Sequence, residues 1–313
     1  ARLLPLCAHV PCTLPQTRPG LKSGSSPLNP MPAGQAFPMP SRPTWPIALT
    51  VAGSDSGGGA GIQADLKTFH ALRVHGVTAI TCLTAQNPAG VQAVQGVTPG
   101  FLQAQLDALF GELPPRAAKT GMLWNADLIR VVVESWQARG RPPLVVDPVM
   151  IATSGAALLQ PEAMEAIRGQ LLPLARIATP NLDEAAHLLG ATLSSLDDLR
   201  QAARELHRRH GCPFLVKGGH LRSIPDAVDV FWDGRRELVL SAPFIPRVST
   251  HGTGCTYSAA IVAGLARGLG LRAAVQQAKH VITQAIRDSV RIGRHQALRP
   301  SPCPEPRPKG KAG

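Results

Sequence analysis

Between residues 45 and 290, short β-branched apolar runs alternate with stretches in which apolar residues recur every three to four positions. The first pattern is that of buried strands and the second that of amphipathic helices. Residues 46–53 (PIALTVAG) predict a strand that leads into a Gly-rich loop. A helix over 62–74 follows, with Ile62, Leu66 and Phe69 on one face. Further strands are predicted at 77–85, 116–122, 143–149, 175–179 and 213–217, and further helices at 100–111, 125–138, 161–173, 181–189 and 195–209. Asn181 is a cap candidate for the helix at 181–189. Residues 226–233 and 236–244 flank Gly234-Arg235 and predict a β-hairpin. Helices at 253–268 and 271–290 close the pattern. Alternating β and α units of this length predict a mainly parallel sheet covered on both faces, with ligands at the carboxyl ends of its strands.

The ends of the chain lack this pattern. Residues 1–44 hold ten Pro, four Lys or Arg and no acidic residue; residues 291–313 hold five Pro, six Lys or Arg and one Glu. Both read as disordered, Pro-rich, basic tails around one domain at 45–290. Of the formal net charge of +12, the tails supply +9, so the middle carries only +3. The charge therefore does not argue for a nucleic-acid partner. No run of 18 apolar residues predicts a membrane span. The patch at Leu3–Leu6 is too short for a signal peptide and is broken by Pro5. Cys7, Cys12 and Cys303 lie in the tails. Cys82, Cys212 and Cys255 lie in the middle without a CxxC or a metal-ligand spacing, so the default is a reducing cytoplasm.

The residues that suggest chemistry fall at predicted strand ends. The loop Ala52–Gly61 (AGSDSGGGAG) lets backbone approach a ligand and places Asp55 there as an acceptor. It contains neither a P-loop nor a GxGxxG, and alone it reads equally well as a flexible βα turn. Ser249–Thr256 (STHGTGCT) opens a helix, where converging amides favour an anion. Cys255 in that position is expected to feel the positive helix end, which favours thiolate and suits a base, although a lone Cys is more commonly a buried structural one. Thr179–Glu184 (TPNLDE) sets Asn181 and Glu184 on one helix face, either as oxygen donors suited to Mg²⁺ or as a cap. Asp147 ends a buried strand and needs a partner or a task. Lys217-Gly218-Gly219-His220 and Lys119 add cations at other strand ends. His220 and His251 are acid/base candidates, but neither is paired with a carboxylate by spacing. Together these groups fit phosphoryl transfer, in which positioning and charge neutralisation dominate.

Seven blocks carry a family resemblance: AGSDSGGGAGIQADLKTF (52–69), TAQNPAGV (84–91), KTGML (119–123), VVDPVM (145–150), TPNLDEA (179–185), LVKGGHL (215–221) and STHGTGCT (249–256). In this order they make residues 47–290 resemble the hydroxymethylpyrimidine/phosphomethylpyrimidine kinases of thiamine biosynthesis, within the ribokinase-like superfamily. The resemblance implies a three-layer α/β/α sandwich and ATP- and Mg²⁺-dependent phosphorylation of a pyrimidine alcohol and then of its monophosphate. It implies that Gly53, Asp55, Ala60, Gln86, Met122 and Val149 bind the pyrimidine. Cys255 would be the base, and the amides of Gly252, Thr253, Gly254 and Cys255 would hold the transferring phosphoryl. Asn181, Lys217, Gly219 and Thr250 would lie on the ATP side, with Glu184 and Asp147 near the metal. A homodimer is also implied. Segment 151–156 (IATSGA) lacks a Lys seen in some relatives, which bears on the second phosphorylation. The alternatives are a pyridoxal kinase of the same Cys-bearing branch and a non-catalytic pyrimidine-binding module.

Overall fold

The structure is a computed structural model, and it describes residues 44–150, 161–219, 221, 225–246 and 251–301. A nine-stranded sheet forms its centre, in the order β3-β2-β1-β4-β5-β6-β7-β8-β9. The strands are β1 (Ile47–Asp55), β2 (His75–Asn87), β3 (Gly90–Gly96), β4 (Ala117–Thr120), β5 (Leu144–Val146), β6 (Ile177–Ala178), β7 (Phe214–Lys217), β8 (Asp226–Trp232) and β9 (Glu237–Pro243). From β2 across to β7 every pairing is parallel, while β3, β8 and β9 run antiparallel to their neighbours. The expected mainly parallel sheet is therefore present.

Two helical layers cover it, and alternation along the strands sets the layers. Leu49 and Val51 of β1 face one core with α2 (Pro99–Glu112), α3 (Ala126–Ala138), α4 (Pro161–Ala166), α5 (Leu182–Leu189) and α6 (Leu196–His210). Ala48 of β1, Ala117 of β4 and Val145 of β5 face the other core, with α1 (Gly61–Ala71), α7 (Thr253–Ala266) and α8 (Leu271–Arg287). This is the three-layer α/β/α sandwich. α7 is apolar nearly all round and buried along ten of its residues, so it lies between the sheet and α8 rather than on the surface.

Four segments differ from the sequence reading. The strand β3 was not expected, because GVQAVQG has two Gly and two Gln; it forms as an edge strand, where those polar positions face water. The strand at 143–149 stops at Val146, and Asp147-Pro148 leaves the sheet. The helix at 161–173 breaks into α4, a π turn at Ile167–Leu171 and a 3₁₀ turn at Leu172–Leu174; Pro173, which has no N–H to donate, lies in the last turn. The segment from 291, read as a tail, begins with a hairpin of β10 (Val290–Ile292) and β11 (His295–Ala297) that turns at Gly293. Leu298 after it packs on the α7–α8 core, which gives this short piece an anchor. Residues 1–43 and 302–313 lie outside the described residues.

Candidate active site

The parallel strands β1, β4, β5, β6 and β7 bring Asp55, Lys119, Asp147, Thr179 and Lys217 to the same edge of the sheet. The N-terminus of α7 enters among them. Its N-cap is Gly252, at φ +80°, a residue with no side chain to cap the helix. A Cβ on Gly252 would collide with the carbonyl of Gly59, so the α7 start and the loop after β1 can close on each other only because position 252 is Gly. Two residues on, a Cβ on Gly254 would lie 3.2 Å from Lys217 Nζ and 3.7 Å from Asp147 Oδ2. The amide end of α7 thus stands beside a cation, as an anion site requires.

Asp147 is the hub of this side. Its Oδ1 accepts from Lys217 Nζ at 3.1 Å and Thr179 Oγ1 at 3.2 Å, and its Oδ2 accepts from the Ser258 hydroxyl at 3.1 Å. Burial would raise its pKa, but Lys217, Lys119 and these hydrogen bonds more than offset that and hold it below the usual range. Glu184 is also buried, at 7% exposure. Its Oε2 accepts from the Asn181 amide at 2.7 Å, while Asn181 Oδ1 accepts from the Glu184 amide at 2.8 Å. The cap arrangement is therefore real, yet Glu184 is not solvated. Burial, with Asp147 nearby, outweighs the pull of Lys217 and pushes its pKa to about 7.

Cys255 corrects an expectation. Its pKa is pushed up to about 11, not down: burial dominates, and the attraction of Lys119 and the Gly61 amide does not overcome it. The carboxylates of Asp65 and Asp147 add to the rise. The side chain at the third position of α7 rests as a thiol because it is desolvated between acidic neighbours, which a reading of the helix end alone omits. Lys119 is itself fully buried and bonded to Asp65 at 2.8 Å, and Asp65 also accepts from Thr50 at 2.6 Å. Burial works against the Lys119 charge, but Asp65, Cys255 and Asp147 hold its pKa well above the ordinary value.

On the β1 side, Asp55 gathers the glycine loop. Oδ1 accepts from the Gly57 amide at 2.7 Å, and Oδ2 from Gly59 at 3.0 Å, Ala60 at 2.7 Å and His251 Nε2 at 3.1 Å. Burial alone would raise this carboxyl, but the His251 ring and the amides bring it down to about 2. A carboxylate is acceptor-only, so the His251 nitrogen facing it is the N–H. The fold thus pairs His251 with a carboxylate 196 residues away. The loop is organised, not a loose turn. Gly53 sits against Cys82 and Met122: a Cβ there would lie 2.7 Å from Cys82 Sγ and 3.8 Å from Met122 Sδ. The Met122 carbonyl is fixed by the Thr81 hydroxyl at 2.7 Å. Gln86 is tied to the loop through Ser56, whose hydroxyl donates to its carbonyl at 2.6 Å and accepts from its amide at 2.8 Å. Val149 is half-buried just beyond Asp147. A Cβ on Gly219 would meet nothing within 4 Å among the described residues. Thr250 and His220 lie outside the described residues, as does segment 151–156.

Several participants were not singled out from sequence. Asp65 was legible in principle, since it shares the α1 stripe of Ile62 and Phe69, where a charge needs a partner. Ser258 left no signal, because hydroxyls in buried elements are common; Thr179 lay inside the Thr179–Glu184 motif, but its bond to Asp147 was not legible there. Among the described residues no three His, Cys, Asp or Glu side chains cluster to hold a metal directly, and no helix is long and apolar enough to cross a membrane.

Comparison with known proteins gives the family. Residues 55–299 match the family described as Phosphomethylpyrimidine kinase. The chain is 48% identical over 251 residues to the hydroxymethylpyrimidine/phosphomethylpyrimidine kinase of Synechococcus elongatus, covering 80% of this chain and 95% of that one. Among solved structures it resembles the ADP complex of Bacillus subtilis pyridoxal kinase, with a TM-score of 0.75 and 38% identity, over 82% of this chain and 97% of that chain. It also resembles phosphomethylpyrimidine kinase from Clostridium difficile 630, with a TM-score of 0.69 and 41% identity, over 77% and 99%. The chain belongs to the phosphomethylpyrimidine kinase family, an ATP-using branch of the ribokinase-like fold.

Proposed function

We propose that the protein transfers the γ-phosphoryl of ATP to the hydroxymethyl oxygen of 4-amino-5-hydroxymethyl-2-methylpyrimidine and then to the resulting monophosphate, in thiamine biosynthesis. The observation that carries this reading is the α7 start with its Gly252 N-cap, set between the Asp55-organised loop and the Asp147–Lys217 pair. The Gly252–Cys255 amides receive the transferring phosphoryl, and Lys217 balances its charge. Gly53, Asp55, Ala60, Gln86, Met122 and Val149 form the pyrimidine pocket. Asn181 and Gly219, with Thr250, line the ATP side. This assignment is supported by the nearness of Gly53 to the Met122 sulfur, by the Gln86–Ser56 tie and by the room at Gly219 among the described residues.

Mg²⁺ fits the acidic residues present. A buried Glu184 whose pKa rises to about 7 beside Asp147 is a carboxylate that a further cation would keep ionised. Since no three such side chains cluster among the described residues, the ion would be held largely through water and phosphate. Bound there, it would neutralise charge on the phosphoryl oxygens. Asp147 and Glu184 are its anchors, and Lys217 keeps Asp147 ionised.

In the first step the alcohol oxygen bonds to the γ-phosphorus, the bond to the ADP oxygen breaks, and the alcohol proton leaves. Cys255 takes that proton as a thiolate, its own thiol proton having first passed to solvent; the Lys119 charge favours this thiolate against burial. The second step differs, because the accepting phosphate monoester is already ionised near neutral pH, with a second pKa of about 6. Phosphorylation of the alcohol and of the monophosphate, assayed separately, tests both claims. Cys255→Ser is expected to lower kcat on the alcohol by about 10² or more, within the range of general-base catalysis. It should lower kcat on the monophosphate much less and leave KM for the alcohol near wild type. Equal losses on both acceptors would remove Cys255 as the base. Pyridoxal is included as a third acceptor because a pyridoxal kinase is among the structural neighbours. A kcat/KM about tenfold higher for pyridoxal, roughly 1.4 kcal/mol, would overturn the pyrimidine assignment. We further assign the activity to the domain described from residue 45 onward, as a cytoplasmic homodimer, on the family resemblance.

A further inference from the structure

A second buried charge cluster lies behind the site. Asp229 on β8 is 3% exposed and Lys279 on α8 is 8% exposed. Asp229 Oδ2 accepts from Lys279 Nζ at 2.8 Å and from the hydroxyl of Tyr257 on α7 at 3.1 Å. Its Oδ1 accepts from the backbone amide of Gly218 at 3.1 Å, an N–H shared with the Val228 carbonyl at 3.0 Å. Lys279 Nζ donates a second bond, to the Ala227 carbonyl at 2.8 Å. Every partner of this carboxylate is a donor, so the acceptor-only form of Asp is matched on all sides.

A buried ion pair seldom stabilises a fold more than apolar residues of the same volume would. What apolar residues could not supply is the second acceptor of the Gly218 amide, the side-chain one that ties the loop to Lys279 and Tyr257 beside the Val228 carbonyl. Gly218 lies between Lys217, which meets Asp147 and the α7 start, and Gly219, where an added Cβ meets nothing within 4 Å among the described residues. Through Tyr257 the same carboxylate holds the body of α7, two residues beyond Cys255. A single side chain is therefore bonded to both walls of the phosphate end: the loop after β7 and the first turns of α7. We propose that Asp229, with Lys279 and Tyr257, is a positioning network that holds the Gly218–Gly219 loop in register with the α7 N-terminus and so sets the affinity for ATP without touching it. The inference rests on the reading of Lys217 and Gly219 as the nucleotide side.

Steady-state kinetics on three variants test it. The double variant Asp229→Leu with Lys279→Met removes both charges at similar volume. It is expected to keep a melting temperature near wild type while KM for ATP rises about tenfold and kcat and KM for the pyrimidine alcohol stay within about twofold. Asp229→Asn, nearly isosteric, must turn an NH₂ group toward a donor; it should raise KM for ATP by a similar factor even if the double variant fails to fold. Lys217→Met, the third variant, should raise KM for ATP directly. A raised KM in Lys217→Met with wild-type KM values in the folded Asp229 variants overturns the network alone. A wild-type KM for ATP in Lys217→Met overturns the nucleotide-side reading on which the network rests. Equal rises in both substrates' KM values would mean a general structural role and would also overturn it.

Discussion

Three residues at the site carry ionisation states that only their surroundings explain. Cys255 keeps its proton, because burial and two carboxylates outweigh Lys119. Asp147 loses its proton early because Lys217 and Lys119 face it. Glu184 lies between these cases, with a pKa of about 7 against an ordinary 4.5. If Glu184 must be ionised to hold Mg²⁺, kcat/KM for MgATP should fall as pH drops through about 7. Glu184→Gln should give a low, flat profile across the same range. The same shift has a sign in stability. A folded-state pKa above the unfolded one means that the native state binds the proton more tightly, so this group favours folding at low pH and opposes it above about 7. Glu184→Gln should therefore raise the melting temperature more at pH 8 than at pH 5, while lowering activity at both. A melting temperature shift with no pH dependence would contradict the buried-carboxylate account.

At the scale of elements, α7 does the most. Its apolar length fixes it in the core, and its glycine-capped start reaches the carboxyl ends of the strands. The joint is Gly252, which combines positive φ with contact against Gly59. Gly190, the C-cap of α5, has a similar φ of +68° but open space around it. Gly252→Ala should cost about 1–3 kcal/mol in urea unfolding and reduce kcat/KM more than tenfold, because the strained position is also the closure of the site. Gly190→Ala should cost about 1 kcal/mol or less and leave kcat/KM unchanged, since only the backbone preference is lost. If both variants behaved alike, the Gly252–Gly59 contact would have no part in assembling the site. Most elements were legible from periodicity because each buries a face. The strand β3 and the β10–β11 hairpin were not, since an edge strand and a three-residue ladder bury too little to leave an apolar pattern.

At the scale of the whole molecule, the site is a meeting of distant segments. Asp55 and His251 bond across 196 residues and join the first strand of the sheet to the entrance of α7. This tie should appear in acid stability. The Asp55 pKa falls from 3.8 to about 2, so its stabilisation is complete above pH 3.8 and lost as pH falls toward 2. It amounts to about 2 kcal/mol. Urea unfolding of Asp55→Asn should therefore show a deficit of about that size at pH 7 that shrinks between pH 3.8 and 2. A deficit constant with pH would mean that the carboxylate's charge adds nothing.

The sequence by itself determined the order of elements, the mainly parallel sheet and the strand ends at which chemistry gathers. These follow from local spacing, which β-branched runs, helical stripes and glycine loops record residue by residue. It also placed Asp147, Lys217, Glu184 and Cys255 among the candidates, through motif order. Only the tertiary structure decided how those groups are charged and paired. That Asp147 faces Lys217, that His251 meets Asp55, that Asp229 reaches Gly218 and that Cys255 is a thiol all depend on contacts between segments far apart in the chain. Burial and the charges of neighbours set such states, and neither is written in the spacing of any one segment.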